Sequence, residues 1–328
     1  MGYYEHVTDA VGHTPLIRLN RLGPVNGVNI FAKLEYLNPG GSMKDRLGLQ
    51  ILKEAEESGA LKPGGTVIEA TAGNTGIGLA LAALRKGYRV ILVVSSKFSI
   101  EKRTMMKAFG AELVETAPEG GIDGSMVVAE DLARDIPGAF LAHQFQNPAN
   151  QRAYYPTGEE IWEDLDGNIT ALVSGAGSGG SLLGIGTVLK KHDPKIKVVL
   201  SDPEGSILGG GEPGAYKVEG IGNHFIPGTF QREKIDQVIK IRDEDAYFMV
   251  RLMALKEGII GASSSGESLT GAIRLAYELP VGSNIVAVFP DRADRYLSKD
   301  IYRFDRGLQD YDLSEPLQRY VKDKGFLV

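Results

Sequence analysis

Lys44 is the first residue whose surroundings point to chemistry. It follows the small-residue run Asn38-Pro39-Gly40-Gly41-Ser42-Met43 and heads an amphipathic stretch, 44–58. A lysine in a helix's first turn sits against the positive end of the helix dipole, which lowers its pKa. That suits the amine to act as a nucleophile or to form a Schiff base; a solvated lysine behind a capping loop is the plainer alternative. The run is not a Walker loop, because no Gly-Lys-Ser/Thr order follows. A second turn, Thr71-Ala72-Gly73-Asn74-Thr75-Gly76, also opens a helix. Its short hydroxyls and backbone N–H groups would make a carboxylate or phosphate site, or simply cap the helix through Asn74 or Thr75. The third turn, Gly175-Ala176-Gly177-Ser178-Gly179-Gly180, spells G-x-G-x-x-G, and Asp202 lies roughly twenty residues beyond it. That is the dinucleotide fingerprint, so a nicotinamide dehydrogenase is one reading. The loop reads as an anion site, for a pyrophosphate or for a lone phosphate.

Other reactive patterns are missing. His6, His13, His143, His192 and His224 show no metal-ligand spacing, and there is no G-x-S-x-G elbow. Ser263-Ser264-Ser265-Gly266 reads as a turn or helix cap, Trp162 and the Tyr154-Tyr155 pair as packing, and Glu159-Glu160 as a solvated helix face.

Positioning these turns needs strands and helices in alternation. Apolar, β-branched runs at 66–69, 90–94, 112–115, 170–174, 198–201 and 284–289 predict strands. Between them, amphipathic stretches at 44–58, 75–86, 100–109, 181–192, 244–257 and 267–279 predict helices, several ending in glycine. Strand–helix alternation with continuous apolar strands predicts an α/β fold of two doubly wound domains with mostly parallel sheets and a cleft between them. A boundary falls near Asn147-Pro148-Ala149-Asn150, giving domains 1–147 and 148–305 with a short tail, 306–328; 205–222, rich in Gly and Pro, predicts an irregular loop.

Composition sets outer bounds. The 328 residues carry 43% hydrophobic and 24% charged side chains, ordinary for a globular protein. A net charge of −6 with scattered basic residues argues against nucleic acid or anionic membrane as partner. The absence of cysteine excludes disulfides, zinc-thiolate sites, iron–sulfur clusters and cysteine nucleophiles. No secretory leader is visible and no stretch has the apolar length of a membrane span, so a cytoplasmic location is expected.

Taken together and in this order, the three turns resemble the cysteine synthase and cystathionine β-synthase family, pyridoxal phosphate enzymes of fold type II. The resemblance extends through His13-Thr14-Pro15-Leu16, Gln144 to Asn150, Asp202 to Ser206, Val218 to Gly222, Ser264-Ser265-Gly266, Pro290 and Arg295-Tyr296. It implies that Lys44 carries the cofactor as a Schiff base and moves protons at the substrate's Cα and Cβ. It also implies that Asn74 meets the ring hydroxyl and that Gly175, Ala176, Gly177, Ser178 and Gly179 bind the phosphate. Thr71, Ala72, Gly73, Thr75 and Gln144 would hold the substrate carboxylate, with Gly220, Ile221 and Gly222 beside the reacting carbon. A homodimer is implied, with the segment around 13–34 crossing to the other domain.

Three departures from the family pattern stand out. Ala72 replaces a usual serine. His224 stands where a small residue or an aspartate is common, and could help select the nucleophile. In Asp291-Arg292-Ala293-Asp294-Arg295, Arg292 takes the register of the serine that meets the pyridine nitrogen. Arginine cannot accept a hydrogen bond, so it would keep that nitrogen unprotonated; a one-residue shift would bring Asp291 there and reverse the expectation. The expected reaction is β-replacement on O-acetylserine or serine with a sulfur nucleophile. Alternatives are β-elimination of cysteine to hydrogen sulfide and diaminopropionate formation with an amine. The text from Asp202 to Leu208 and Tyr216 to Pro227 looks closer to cystathionine synthases, but their haem-binding extension is missing, so no haem is expected.

Overall fold

The computed structural model describes residues 3–23 and 26–326. Strands β1 (Leu16–Arg18) and β2 (Asn29–Leu34) precede α1 (Lys44–Glu57). A strand–helix series follows: β3 (Thr66–Ala70), α2 (Asn74–Leu84), β4 (Arg89–Ser95), α3 (Ile100–Ala108), β5 (Glu112–Thr116), α4 (Gly121–Asp135) and β6 (Phe140–Leu141). Helices α5 (Ala149–Arg152) and α6 (Tyr155–Asp164) lead to β7 (Ala171–Ser174), α7 (Gly180–His192), β8 (Lys197–Pro203) and β9 (Gln237–Ile241). The described chain closes with α8 (Asp243–Leu252), α9 (Ser263–Ala276), β10 (Asn284–Phe289) and α10 (Glu315–Lys324).

The strands form two sheets, of order β5-β4-β3-β6 and β1-β2-β10-β7-β8-β9. The smaller sheet is parallel throughout; in the larger, β1 pairs antiparallel with β2 and the other neighbours are parallel. Strands covered by helices on both faces should read as unbroken apolar runs, and β10, Asn-Ile-Val-Ala-Val-Phe, is buried at every position. The early strand β2 belongs to the larger sheet, lying parallel to β10 from Asn29 opposite Asn284 to Leu34 opposite Phe289.

Helices α1 and α2 cross unusually closely. A methyl group on Gly48 would overlap the carbonyl of Gly78, and one on Gly78 would overlap the carbonyl of Lys44. Two missing side chains therefore let the helix that starts at Lys44 lie backbone to backbone on the helix that starts at Asn74.

Two elements differ from the expectation. The short tail beyond residue 306 carries a docked helix that was not expected: α10 sets Leu317, Tyr320 and Val321 into the core that α9 also lines, and the Tyr320 hydroxyl donates to the Leu22 carbonyl at 2.7 Å. Their i, i+3, i+4 spacing gives this short helix one apolar stripe, which is what docks it. Ser263 to Gly266 form the first turn of α9 rather than a turn before it. Among the described residues no helix is long and apolar enough to cross a membrane, and no cluster of His, Asp and Glu could hold a metal ion.

Candidate active site

The loop before α1 is tied down on every side, so Lys44 is aimed by its surroundings. The Gly40 amide donates to the Asp45 carboxylate at 2.5 Å, and the Met43 amide to the Pro290 carbonyl at 2.9 Å. Two positions on, Arg46 forks to Glu35 at 2.8 and 2.9 Å and to Glu160 at 2.7 and 2.8 Å. Lys33 adds a contact of 3.0 Å to Glu160. Burial raises the Glu160 carboxyl's pKa, but its Arg46 and Lys33 partners win and bring it down to about 2. Glu160, expected on a solvated face, is therefore part of a buried ion network anchoring α1. The Lys44 amine donates to the Tyr154 hydroxyl at 3.3 Å. Burial pushes its pKa down to about 8 while the charge of Asp291 opposes the shift, so a useful fraction of the amine is neutral near physiological pH.

The second turn follows the carboxyl end of β3. The Thr71 hydroxyl accepts from the amides of Gly73 and Gly76, at 2.9 and 3.2 Å, which curls the backbone. Gly73 has φ +132°, and the Lys102 side chain fills the space a Cβ would need. Thr75 donates to the Gln144 side-chain oxygen at 2.6 Å, and the Gln144 amide group donates to the Ala70 carbonyl at 3.0 Å. Thr71, Ala72, Gly73, Thr75 and Gln144 thus line one cleft of about 970 Å3, which Lys44 also reaches.

The third turn leaves β7 for α7. Its carbonyls are taken from outside the turn: Gly222 N–H donates to Ala176 at 2.7 Å, the Asn223 amide to Gly177 at 2.7 Å, and the Thr229 hydroxyl to Ser178 at 2.6 Å. The Gly175 amide donates to the Ser268 hydroxyl at 3.3 Å, so the later amides of the turn and the start of α7 are those that can meet an anion. Gly175, Gly177 and Ser178 line a narrow inner chamber that shares Lys44, Asn74, Gly220 and Ile221 with the cleft. Ala176 turns its methyl into the core, and Gly179, at φ +86°, packs against Phe230, so these two shape the turn from behind. Gly222 and His224 line the cleft farther out; His224 Nε2 lies 3.0 Å from the Gly214 carbonyl and its ring stands edge-on to Tyr216.

Asp202, the acid of the dinucleotide fingerprint, is buried and engaged. Lys240 donates to it at 2.6 Å and the Gly209 amide at 2.9 Å, so it is closed to a ribose.

Arg292, also expected as a cofactor contact, does not line the chamber. It pairs with Asp294 at 3.0 Å on the outer side. Asp291 points inward instead: 2% exposed, it lines the inner chamber. The reason lies in the backbone, where Asp291 bridges to Ser42 and Arg292 to Gly261, so successive side chains of this extended segment leave on opposite sides. Sequence reasoning also missed Tyr154, Ser264 and Lys102. Ser264 lies in the chamber, and Lys102 meets Glu219 at 3.0 Å and stands 4.2 Å over the Tyr296 ring. The serine run at the head of a helix was the available signal for Ser264; nothing local marks Tyr154 or Lys102.

An amine of lowered pKa, an anion cradle at a helix start, a side-chain amide and a serine beside an acid surround this chamber. These groups match the aldehyde, phosphate, ring hydroxyl and ring nitrogen of pyridoxal phosphate. The chain is also similar to known pyridoxal phosphate enzymes. The pattern described as pyridoxal-phosphate dependent enzyme matches residues 7–291. An O-acetylserine dependent cystathionine beta-synthase of Bacillus subtilis is 47% identical over 297 residues, 90% of this chain and 97% of that protein. The crystal structure of an O-acetylserine dependent cystathionine beta-synthase from Helicobacter pylori is similar at TM-score 0.88 and 44% identity, covering 92% of this chain and all 100% of that one. That of a cysteine synthase from Entamoeba histolytica is similar at TM-score 0.89 and 36% identity, covering 98% and 96%. The chain belongs to the pyridoxal-phosphate dependent enzymes.

Proposed function

We propose that this protein catalyses β-replacement on O-acetylserine, or a similarly activated serine, with a sulfur nucleophile, either sulfide or an amino-acid thiol such as homocysteine. The observation that carries the reading is the opening of the Lys44 amine, of the Thr71–Gly73–Thr75 turn and of Gln144 beside it on the same cleft. Bound pyridoxal phosphate supplies an electron sink for the carbanion at Cα. The turn holds the substrate carboxylate, which fixes where Cα lies relative to the amine. The Lys44 amine takes the Cα proton, and the β-substituent leaves with its electron pair. A thiolate then adds at Cβ, and Lys44 returns the proton to Cα. A cleft of about 970 Å3 holds an amino-acid thiol, whereas sulfide alone would leave most of it to water.

The visible spectrum of the loaded protein tests this. O-acetylserine should change the cofactor's absorption, and homocysteine or sulfide should restore it with release of the thioether or thiol amino acid. Lys44→Ala should lose both the resting band and turnover. A protein that takes up no pyridoxal phosphate would refute the proposal. A spectrum that only serine or cysteine changes would correct its donor.

A further inference from the structure

Lys102 touches three parts of the site at once. It projects from α3, in the half built on the smaller sheet, and is 2% exposed. Its stem fills the space beside Gly73 that a Cβ would need. Its amine donates to the Ala72 carbonyl at 3.4 Å, pairs with Glu219 at 3.0 Å and stands 4.2 Å over the Tyr296 ring. Glu219 belongs to the other half, on the segment between β8 and β9. That segment runs on against the third turn. A Cβ on Gly177 would meet the Gly220 carbonyl, and the Gly222 amide donates to the Ala176 carbonyl at 2.7 Å. One buried ion pair thus ties the second turn to the segment that covers the third.

The bond to Ala72 bears on what Thr71 can offer a ligand. The carbonyl and the N–H of a planar trans peptide point in opposite directions. With the Ala72 carbonyl held toward Lys102, the Gly73 N–H is turned to the Thr71 hydroxyl oxygen, at 2.9 Å. The Gly76 amide reaches the same oxygen at 3.2 Å. A hydroxyl has two lone pairs and one proton. Both lone pairs of Thr71 are taken, so its proton is what it presents to the cleft it lines. A hydroxyl confined to donating suits a carboxylate. Glu219 fixes where the Lys102 amine lies, and Lys102 fixes the Ala72 carbonyl.

We propose that Lys102 is a positioning residue for donor binding: paired with Glu219, it holds the Ala72 carbonyl so that the Thr71 hydroxyl is presented to the donor's carboxylate. The inference rests on the reading that the Thr71–Thr75 turn takes that carboxylate.

The test is a spectral titration of the holoenzyme with O-acetylserine, or with whichever amino acid changes its spectrum, beside kcat/KM for donor and for sulfide. Lys102→Met and Glu219→Gln should each raise the donor concentration that half-converts the spectrum by roughly 10- to 100-fold, with kcat/KM for the donor falling in step. kcat/KM for sulfide, which adds once the donor's β-substituent has left, should stay close to wild type. Glu219→Gln separates positioning from direct contact: were the Lys102 amine itself the carboxylate's partner, freeing it from Glu219 would tighten donor binding. Ser298→Ala cuts the 2.8 Å bond from Ser298 to Glu101, another link between α3 and the other half, without touching the turn, and should match wild type. Should Lys102→Met fail to fold, Glu219→Gln, at a partly exposed side chain, carries the test. Donor binding that is unchanged or tighter in Glu219→Gln overturns the inference, as do equal losses toward donor and sulfide. A wild type that loads the cofactor and turns over donor, with both variants matching it, refutes this inference alone. A wild type that takes up no cofactor refutes the functional reading and this one with it.

Discussion

Lys44 owes its lowered pKa first to burial, with the nearby Asp291 pulling the other way. The position of the lysine at a helix start was legible in the sequence, but its burial was not, because Tyr154, which covers it, lies 110 positions away along the chain. Whether Asp291 or Arg292 enters the site was equally illegible: a one-residue change in an extended segment swaps inside for outside. Glu69 shows a related effect with a measurable consequence. It is fully buried beneath the second turn, accepts the Gln144 amide at 3.4 Å, and burial lifts its pKa from 4.5 to about 8. Between those values the unfolded chain has lost a proton that the fold still holds, so stability falls as pH rises across this window and is lowest above about 8. Glutamine keeps an acceptor and cannot ionise. Thermal melts should show Glu69→Gln gaining on wild type as pH rises, by up to roughly 1.4 kcal/mol per pH unit. A difference between the two proteins that stays flat with pH would show that Glu69 is ionised in the fold.

At the level of elements, the crossing of α1 over α2 decides where Lys44 and Asn74 stand relative to each other. Gly78→Ala should push the helices apart, costing about 1–3 kcal/mol in denaturant titrations and lowering kcat/KM by displacing Lys44. Gly124→Ala, inside α4 with nothing near its Cβ position, should instead stabilise by about 1 kcal/mol, since alanine is the better helix former. Equal effects at the two positions would mean the crossing is not tight. In the sequence these glycines look alike, each flanked by helix-compatible residues; only the packing distinguishes them. The strands that were legible, β3, β4, β5, β7, β8 and β10, show themselves as apolar, β-branched runs. Those that were not, β1, β2, β6 and β9, are short or are interrupted by polar residues, as β2 is by Lys33 in Asn-Ile-Phe-Ala-Lys-Leu.

Over the whole molecule, two strand–helix series were readable from the alternation, and the three turns stood out by composition. How the ends of the chain fasten to the rest was not. Tyr320 joins α10 to Leu22 near the start of the chain, and its ring is fully buried. Tyr320→Ala should cost about 3–5 kcal/mol of stability, far more than truncating a side chain on a loose tail; a loss within about 0.5 kcal/mol, the scale of a surface substitution, would mean that the helix is not docked. The pairing of β2 with β10 has a further meaning for the moment the protein is made. β2 leaves the ribosome early, but the strand it needs follows roughly 250 residues later. At about 5–20 residues per second, that is a wait of about 12–50 s. During that interval the smaller sheet is already synthesised in full while β2 has only β1 beside it. Asp291 and Arg295 emerge still later, so the cofactor's pocket cannot be completed before they follow β10 out of the ribosome.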